Sequence, residues 1–331
     1  MFKKITIYGE DWVGTLPRLL ADELSIRGFS VQVFDYTNIL PGIKNRNFWG
    51  RLLRRLFESH YVNVIRKNFF LEVELFKPDL IIICKGYHLN IKVLSDLKLL
   101  GARVINWNPD DFFNMKNSCS ELIDAIKIYD VIVSPRPHLF DKYRAYGAKE
   151  LIYLDWYFVP NLHHPHEDTK IEYLISFVGS WSPFRERFID EINARVNVWG
   201  AGWEKSAFKF RKNNNVSRVI LSQVEMSKVF ASSKLNLNLL TKENSDVSNL
   251  RFFEVPASGG LLLTERNAHA SRHLEDQKDC LMFQSPADIN FILSKNLNFD
   301  SIAKSGHKKI SKNSNTFSDR VGELLRNLDS K

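Results

Sequence analysis

Short β-branched and apolar runs recur along the whole chain, separated by longer amphipathic stretches, and this alternation limits the fold more than any other feature. In the first half the runs fall at 4–8, 30–34, 79–84, 103–107, 130–134 and 151–154, with helix-like stretches at 15–27, 48–76, 91–100, 120–128 and 137–146 between them. A strand, an amphipathic helix and a second strand make a βα unit, whose repetition builds a parallel sheet with helices on its faces. The order then breaks at Pro160-Asn161-Leu162-His163-His164-Pro165-His166-Glu167-Asp168, a Pro-, His- and acid-rich stretch that reads as a linker. It resumes with strands at 171–178, 196–199, 235–239 and 261–264 and helices at 185–194, 224–231, 249–258, 287–293 and 319–328. At roughly 150 residues per domain, the 331 residues divide into an N-terminal Rossmann-like domain over 1–160, a linker over 161–170 and a C-terminal Rossmann-like domain over 171–331. The expected fold class is α/β, two such domains facing across a cleft into which the carboxyl ends of both sheets open.

Composition narrows the function classes. Apolar residues at 44% and charged residues at 25% are ordinary for a globular chain and exclude a disordered, collagen-like or coiled-coil protein. Cys84, Cys119 and Cys280 are too few and too scattered for a disulfide framework, and none forms a CxxC pair. The start, Met1-Phe2-Lys3-Lys4, turns polar at once, so no secretion signal is read there. Runs such as Leu80-Ile81-Ile82-Ile83-Cys84 fall far short of the roughly 18 apolar residues of a membrane span. These features lead us to expect a cytoplasmic protein whose membrane contact, if any, is peripheral. The net charge of +8 favours anionic partners. No nucleic-acid recognition motif accompanies it, so nucleic acid is not an expected partner.

The segment richest in chemistry is Ser233-Lys234-Leu235-Asn236-Leu237-Asn238 followed by Asn249-Leu250-Arg251-Phe252-Phe253-Glu254-Val255-Pro256-Ala257-Ser258-Gly259-Gly260 and Leu261-Leu262-Leu263-Thr264. A strand leads through a polar loop into a short helix on which Arg251 and Glu254, one turn apart, share a face. A glycine pair ends the helix. By residue type alone this is either an anion site or a surface ion pair with a C-cap glycine.

The pattern R-x-F-E-x-x-A-x-G-G-x-L-L-T resembles the donor-site signature of the group 1 glycosyltransferases, in the branch that includes the CgeB-like spore-maturation proteins. The likeness extends to Phe177-Val178-Gly179-Ser180 with Arg185, to Trp199-Gly200-Ala201-Gly202-Trp203 and to the Asn236-Leu237-Asn238 strand, and so covers most of 171–290; Trp107-Asn108-Pro109-Asp110-Asp111 matches more loosely. The resemblance implies a GT-B fold and transfer of a sugar from a nucleotide-diphosphate-sugar donor to a hydroxyl acceptor, in bacterial surface-glycan or glycoconjugate synthesis. It implies that Glu254 accepts hydrogen bonds from the ribose hydroxyls and that Arg251 meets the phosphates. Asp246, eight positions before Glu254, takes the place of an acidic contact to the donor sugar. Gly179, Ser180 and Arg185 become phosphate contacts at a strand end and helix start, Gly200, Gly202 and Trp203 the edge that receives the base, and Asn236 and Gly259 further parts of the donor site. A noncatalytic nucleotide-sugar or glycan-binding protein with the same fold is the alternative.

In the first domain Gly9-Glu10-Asp11-Trp12-Val13-Gly14-Thr15 joins the first strand to the first helix, and Asp11 or Glu10 is placed to deprotonate an acceptor hydroxyl. Acids at a helix start also serve the helix itself. Asp110 and Asp111 are further acidic candidates or else an N-cap for the next segment, and His138, which follows Ser134-Pro135-Arg136-Pro137, is either a catalytic donor to sugar or phosphate or a structural histidine at a helix start. His163, His164 and His166 read as a solvated linker rather than a metal site. No Asp-x-Asp occurs, so no metal cofactor is expected and arginines and backbone N–H groups are expected to neutralise the diphosphate. Finally, 43–70 carries Lys44, Arg46, Arg51, Arg54, Arg55, Arg66 and Lys67 against the single acid Glu58, interleaved with Phe48, Trp49, Leu52, Leu53, Leu56 and Phe57. Such a helix either lies on an anionic bilayer, as a lipid-linked acceptor would require, or packs its apolar stripe on the sheet.

Overall fold

The structure, a computed structural model, describes residues 2–43, 48–115, 117–166, 169–206, 214–217, 219–241 and 247–329. The chain forms two compact units, Met1–Asp155 joined by Val321–Lys331, and Trp156–Arg320. Each holds one six-stranded, wholly parallel sheet.

The first unit runs β1 (Lys4–Gly9), α1 (Leu16–Ile26), β2 (Ser30–Asp35), α2 (Phe48–Leu56), α3 (Glu58–Phe76), β3 (Leu80–Cys84), α4 (Ile91–Leu99), β4 (Arg103–Trp107), α5 (Ser120–Asp124), β5 (Val131–Ser134), α6 (Phe140–Ala145) and β6 (Leu151–Tyr153). Its strand order is β2-β1-β3-β4-β5-β6. Helices cover both faces of a parallel sheet, so its central strands are largely apolar; every residue of β3 is buried, whereas the edge strand β2 buries only Phe34. The tail from Val321 belongs to this unit, and Arg103 Nη1 donates to Leu328 O at 2.8 Å.

The stretch expected as one helix over 48–76 is two. α3 buries Ile65, Phe69 and Val73, a row at four-residue spacing that packs into the core. α2 buries only Gly50. Its Phe48 and Trp49 are 65% and 71% exposed, and Leu52, Leu53 and Leu56 are exposed with them. The two readings of this segment therefore divide along the chain: the apolar row of α3 packs inward and that of α2 does not.

The second unit runs β7 (Tyr173–Val178), α7 (Pro183–Asp190), β8 (Val196–Trp199), β9 (Asn215–Ser217), α8 (Gln223–Ala231), β10 (Ser233–Asn238), α9 (Arg251–Ala257), β11 (Leu262–Glu265), α10 (Ala268–His273), β12 (Leu281–Phe283), α11 (Pro286–Ser294), α12 (Phe299–Lys312) and α13 (Phe317–Asp329), the end of α13 lying in the tail from Val321. Its order is β12-β11-β10-β7-β8-β9. Sequence reasoning omits β9, β12, α10 and α12. The two strands have three residues each, and α12 meets the core through Ile302, Gly306 and Ile310, a row thinned by a glycine that rests on Asp279 O.

Strand order reverses once in each sheet, between β1 and β3 and between β7 and β10. At such a reversal the connections leave in opposite directions and open a crevice at the carboxyl ends, where open α/β sheets bind ligands. Gly9 ends β1 and Glu10 follows it, Lys85 follows β3, Gly179 and Ser180 follow β7, and Leu239 follows β10.

Candidate functional site

At the reversal in the second unit, Arg185 holds the two strand ends. Ser182 caps α7, its Oγ accepting from Arg185 N at 3.2 Å, and Pro183 fills the first turn, where its missing N–H costs nothing. From that turn Arg185 Nη1 donates to Ser180 O at 2.8 Å and Ser180 Oγ at 3.0 Å, and Nη2 to Leu239 O at 3.0 Å. The guanidinium lies over the Phe177 ring, 5.5 Å from its centroid. Burial, with the nearby Arg251 charge, lowers its pKa, and Glu265 opposes the shift. Glu265, which sequence reasoning missed, ends β11 and accepts Leu240 N at 2.8 Å; burial raises its pKa.

Gly200 is fixed by a close approach. With φ +140°, it brings the end of β8 against β7 so tightly that a Cβ would stand 2.1 Å from Gly179 O. Gly202 starts the short turn that carries Trp203. The expectation for Trp203 is corrected here. Its ring is 3% exposed, edge-on to Phe177 in the core, and Nε1 donates to Gly179 O at 2.8 Å, so it supports the loop and offers no face to a base. Asn236 is likewise corrected: buried in β10, it accepts from Ser176 Oγ at 2.7 Å and donates to Phe230 O and Leu261 O. Asn238, two residues on and on the same face, lies nearer the strand end and accepts from Asn249 Nδ2 at 2.9 Å, tying β10 to the residues before α9.

α9 carries the central pair. Arg251 Nη1 contacts Glu254 Oε2, as the one-turn spacing requires, while Nε donates to Val178 O at 3.4 Å and Nη2 meets Met226 Sδ at 3.1 Å. Gly259, left-handed at φ +82°, follows the end of the helix. Glu254 is 1% exposed, so this is no surface ion pair. Its Oε1 lies 3.7 Å from His163 Nε2. The solvated-linker reading of the histidines is thereby corrected for His163, 3% exposed within the second unit. His166 Nε2 reaches Ser227 Oγ at 3.0 Å, and Ser227 in turn meets Ser258. Asp246, Lys44 and Arg46 lie outside the described residues.

In the first unit the acids of the β1–α1 loop are already engaged. Asp11 accepts from Arg18 through both oxygens, Nε to Oδ1 at 2.7 Å and Nη2 to Oδ2. Glu10 is exposed and accepts from Tyr36 Oη at 2.8 Å, and burial, then Glu10, raises the Tyr36 pKa. His138 is exposed after β5. Asp111 accepts Phe113 N at 2.7 Å, and Asp110 pairs with Lys85 at 2.8 Å. Lys85 was not found from sequence. It stands in the left-handed region at φ 63°; burial opposes its charge, but Asp110, together with Tyr87 and Glu10, raises its pKa.

A family model described as glycosyl transferase-like matches residues 185–326. No protein of curated function matches the sequence. Among solved structures, the sucrose-phosphate synthase of Thermosynechococcus elongatus is similar with a TM-score of 0.70 at 11% identity, covering 99% of each chain. The Anabaena protein HepE, solved in complex with UDP-glucose, gives 0.67 at 10% identity with 100% of each chain covered. A UDP-forming α,α-trehalose-phosphate synthase from Burkholderia xenovorans gives 0.62 at 15%, covering 99% of each. The likeness is one of fold: two parallel α/β sheets, the GT-B architecture.

Proposed function

We propose that the protein is a glycosyltransferase that moves a sugar from a nucleotide-diphosphate-sugar donor to a hydroxyl acceptor. One observation carries the reading: at the β7/β10 reversal two guanidinium groups meet the carboxyl end of β7, Arg251 donating to Val178 O at 3.4 Å and Arg185 to Ser180 O at 2.8 Å, with the buried carboxylate of Glu254 one turn along α9. Paired cations await a polyanion, and a carboxylate beside them suits a diol. The glycosyl transferase-like match over 185–326 supports this, as does the fold shared with HepE, which was solved with UDP-glucose.

In this proposal the diphosphate draws Arg251 away from Glu254, whose oxygens then accept from the ribose hydroxyls. The acceptor oxygen attacks the anomeric carbon while the bond to the diphosphate oxygen breaks. The bonding pair leaves with the diphosphate, stabilised by Arg185 and Arg251, and the acceptor proton passes to a base. Glu10 is the better base in the β1–α1 loop because Arg18 occupies both oxygens of Asp11. Asp246 keeps the donor-sugar contact implied by the resemblance, His138 after β5 donates to sugar or phosphate, and the arginines supply the positive charge without a metal. The acceptor is a glycan or lipid-linked sugar of bacterial surface-glycan synthesis, in keeping with the CgeB-like branch. No helix among the described residues is long and apolar enough to cross a membrane, and the exposed aromatic and basic surface of α2 supports peripheral contact with an anionic inner face.

The test is nucleoside diphosphate release from UDP-, GDP-, ADP- and dTDP-sugars, with and without EDTA. Release that survives the chelator is expected. Loss restored by magnesium or manganese overturns the metal-free mechanism, and binding without release leaves a nucleotide-sugar-binding protein.

A further inference from the structure

The Glu254 carboxylate has a second neighbour besides Arg251. His163 Nδ1 accepts the Val159 N–H at 3.1 Å, which places the imidazole proton on Nε2. That N–H faces Gln223 Oε1 at 3.4 Å and Glu254 Oε1 at 3.7 Å, on the side of the carboxylate away from Arg251. Burial lowers the His163 pKa, Glu254 and Gln223 oppose the shift, and Arg251 and His164 add to it. With Nδ1 accepting from the backbone, the ring is held in its neutral form, oriented by the backbone and enclosed with the acid.

If Arg251 turns to a diphosphate, a carboxylate this deeply buried loses its compensating charge, and a buried charge without a partner is costly. A neutral N–H donor already beside the other oxygen, and one small shift from hydrogen-bond distance, limits that cost and fixes the carboxylate plane. We propose that His163 is a positioning residue that holds Glu254 for the ribose diol of the donor. The inference rests on the donor-site reading of Glu254 and extends it to the segment before β7.

The test compares one nucleoside diphosphate with its 2′,3′-dideoxy form, the base being whichever of UDP, GDP, ADP, CDP and dTDP raises the wild-type melting temperature most; if that is dTDP, the comparison uses UDP, which has both hydroxyls. Affinities are measured by calorimetry for the wild type, His163→Phe, His163→Gln, His163→Asn, Glu254→Gln and the Phe/Gln double variant. We expect His163→Phe to weaken the ribose form about tenfold and the dideoxy form by less than about twofold. Gln, whose amide reaches the Nε2 position, retains binding, whereas Asn, which is too short, does not. In the Glu254→Gln background His163→Phe adds no further loss. If Phe at 163 fails to fold, the contrast between Gln and Asn decides. Equal losses for both ligand forms, or ribose-form binding unchanged in Phe and Asn, overturn the assignment while leaving the donor site standing. Wild-type protein that binds none of the diphosphates overturns the donor reading itself, and the role of His163 with it.

Discussion

Burial sets the chemistry of single residues here more than their type does. His163, His166 and His88 all have their pKa lowered by burial, so in the folded state each favours the neutral ring. The folded protein then binds fewer protons than the unfolded chain below the ordinary histidine value of about 6.5. Their contribution to stability is present above that pH and is lost as pH falls toward the folded-state values. Glu265 and Glu72, raised by burial, act with the opposite sign. The difference between wild type and His163→Gln isolates the one ring. Denaturant titrations between about pH 7.5 and 5.5 should show the wild type losing stability on acidification faster than the variant, by at most about 1.4 kcal/mol per pH unit; an equal slope would show that His163 is not held neutral. Arg251 and Glu254 were legible because they interact across one helical turn, a distance the sequence displays. His163, Lys85 and Glu265 were not, since their partners are brought to them by the sheet. Trp203 and Asn236 show the converse: the family resemblance implied ligand contacts, and the fold turns both inward.

Among the elements, α2 and α3 make the sharpest contrast. Both are amphipathic by sequence, yet α3 spends its apolar row on Ile65, Phe69 and Val73 in the core, and its Arg66 donates to His88 O and pairs with Glu121. α2 keeps Phe48, Trp49, Leu52 and Leu56 exposed beside Arg51, Arg54 and Arg55, with no acid in the helix. Periodicity marks an apolar stripe but does not say what covers it. On an anionic bilayer each such cation adds roughly 1 kcal/mol, an attraction that salt screens. Replacing Arg51, Arg54 and Arg55 by Glu should therefore release the protein from anionic liposomes in low-salt co-sedimentation and leave nucleotide binding unchanged, because the proposed donor residues belong to the other unit. Wild-type protein that ignores such liposomes even at low salt would remove the support for a membrane acceptor.

At the scale of the whole molecule the two-sheet fold was readable because parallel strands buried on both faces leave uninterrupted apolar runs, as β3 does. What the runs could not convey was strand order, and strand order determines where ligands bind. The reversal between β7 and β10 is what gathers Gly179, Ser180 and Arg185 from one βα unit with Leu239 from another. We propose that this reversal, with Arg251 and Glu254 of α9 beside it, receives a nucleotide-diphosphate sugar. Calorimetric titration of wild type, Arg251→Ala and Glu254→Gln with UDP-, GDP-, ADP- and dTDP-sugars tests it directly. At least one donor should bind the wild type, with each variant folded and weaker by about 1.5–3 kcal/mol, the worth of one charge-assisted contact. A donor that binds both variants as tightly as the wild type, or a wild type that binds no donor, would contradict it.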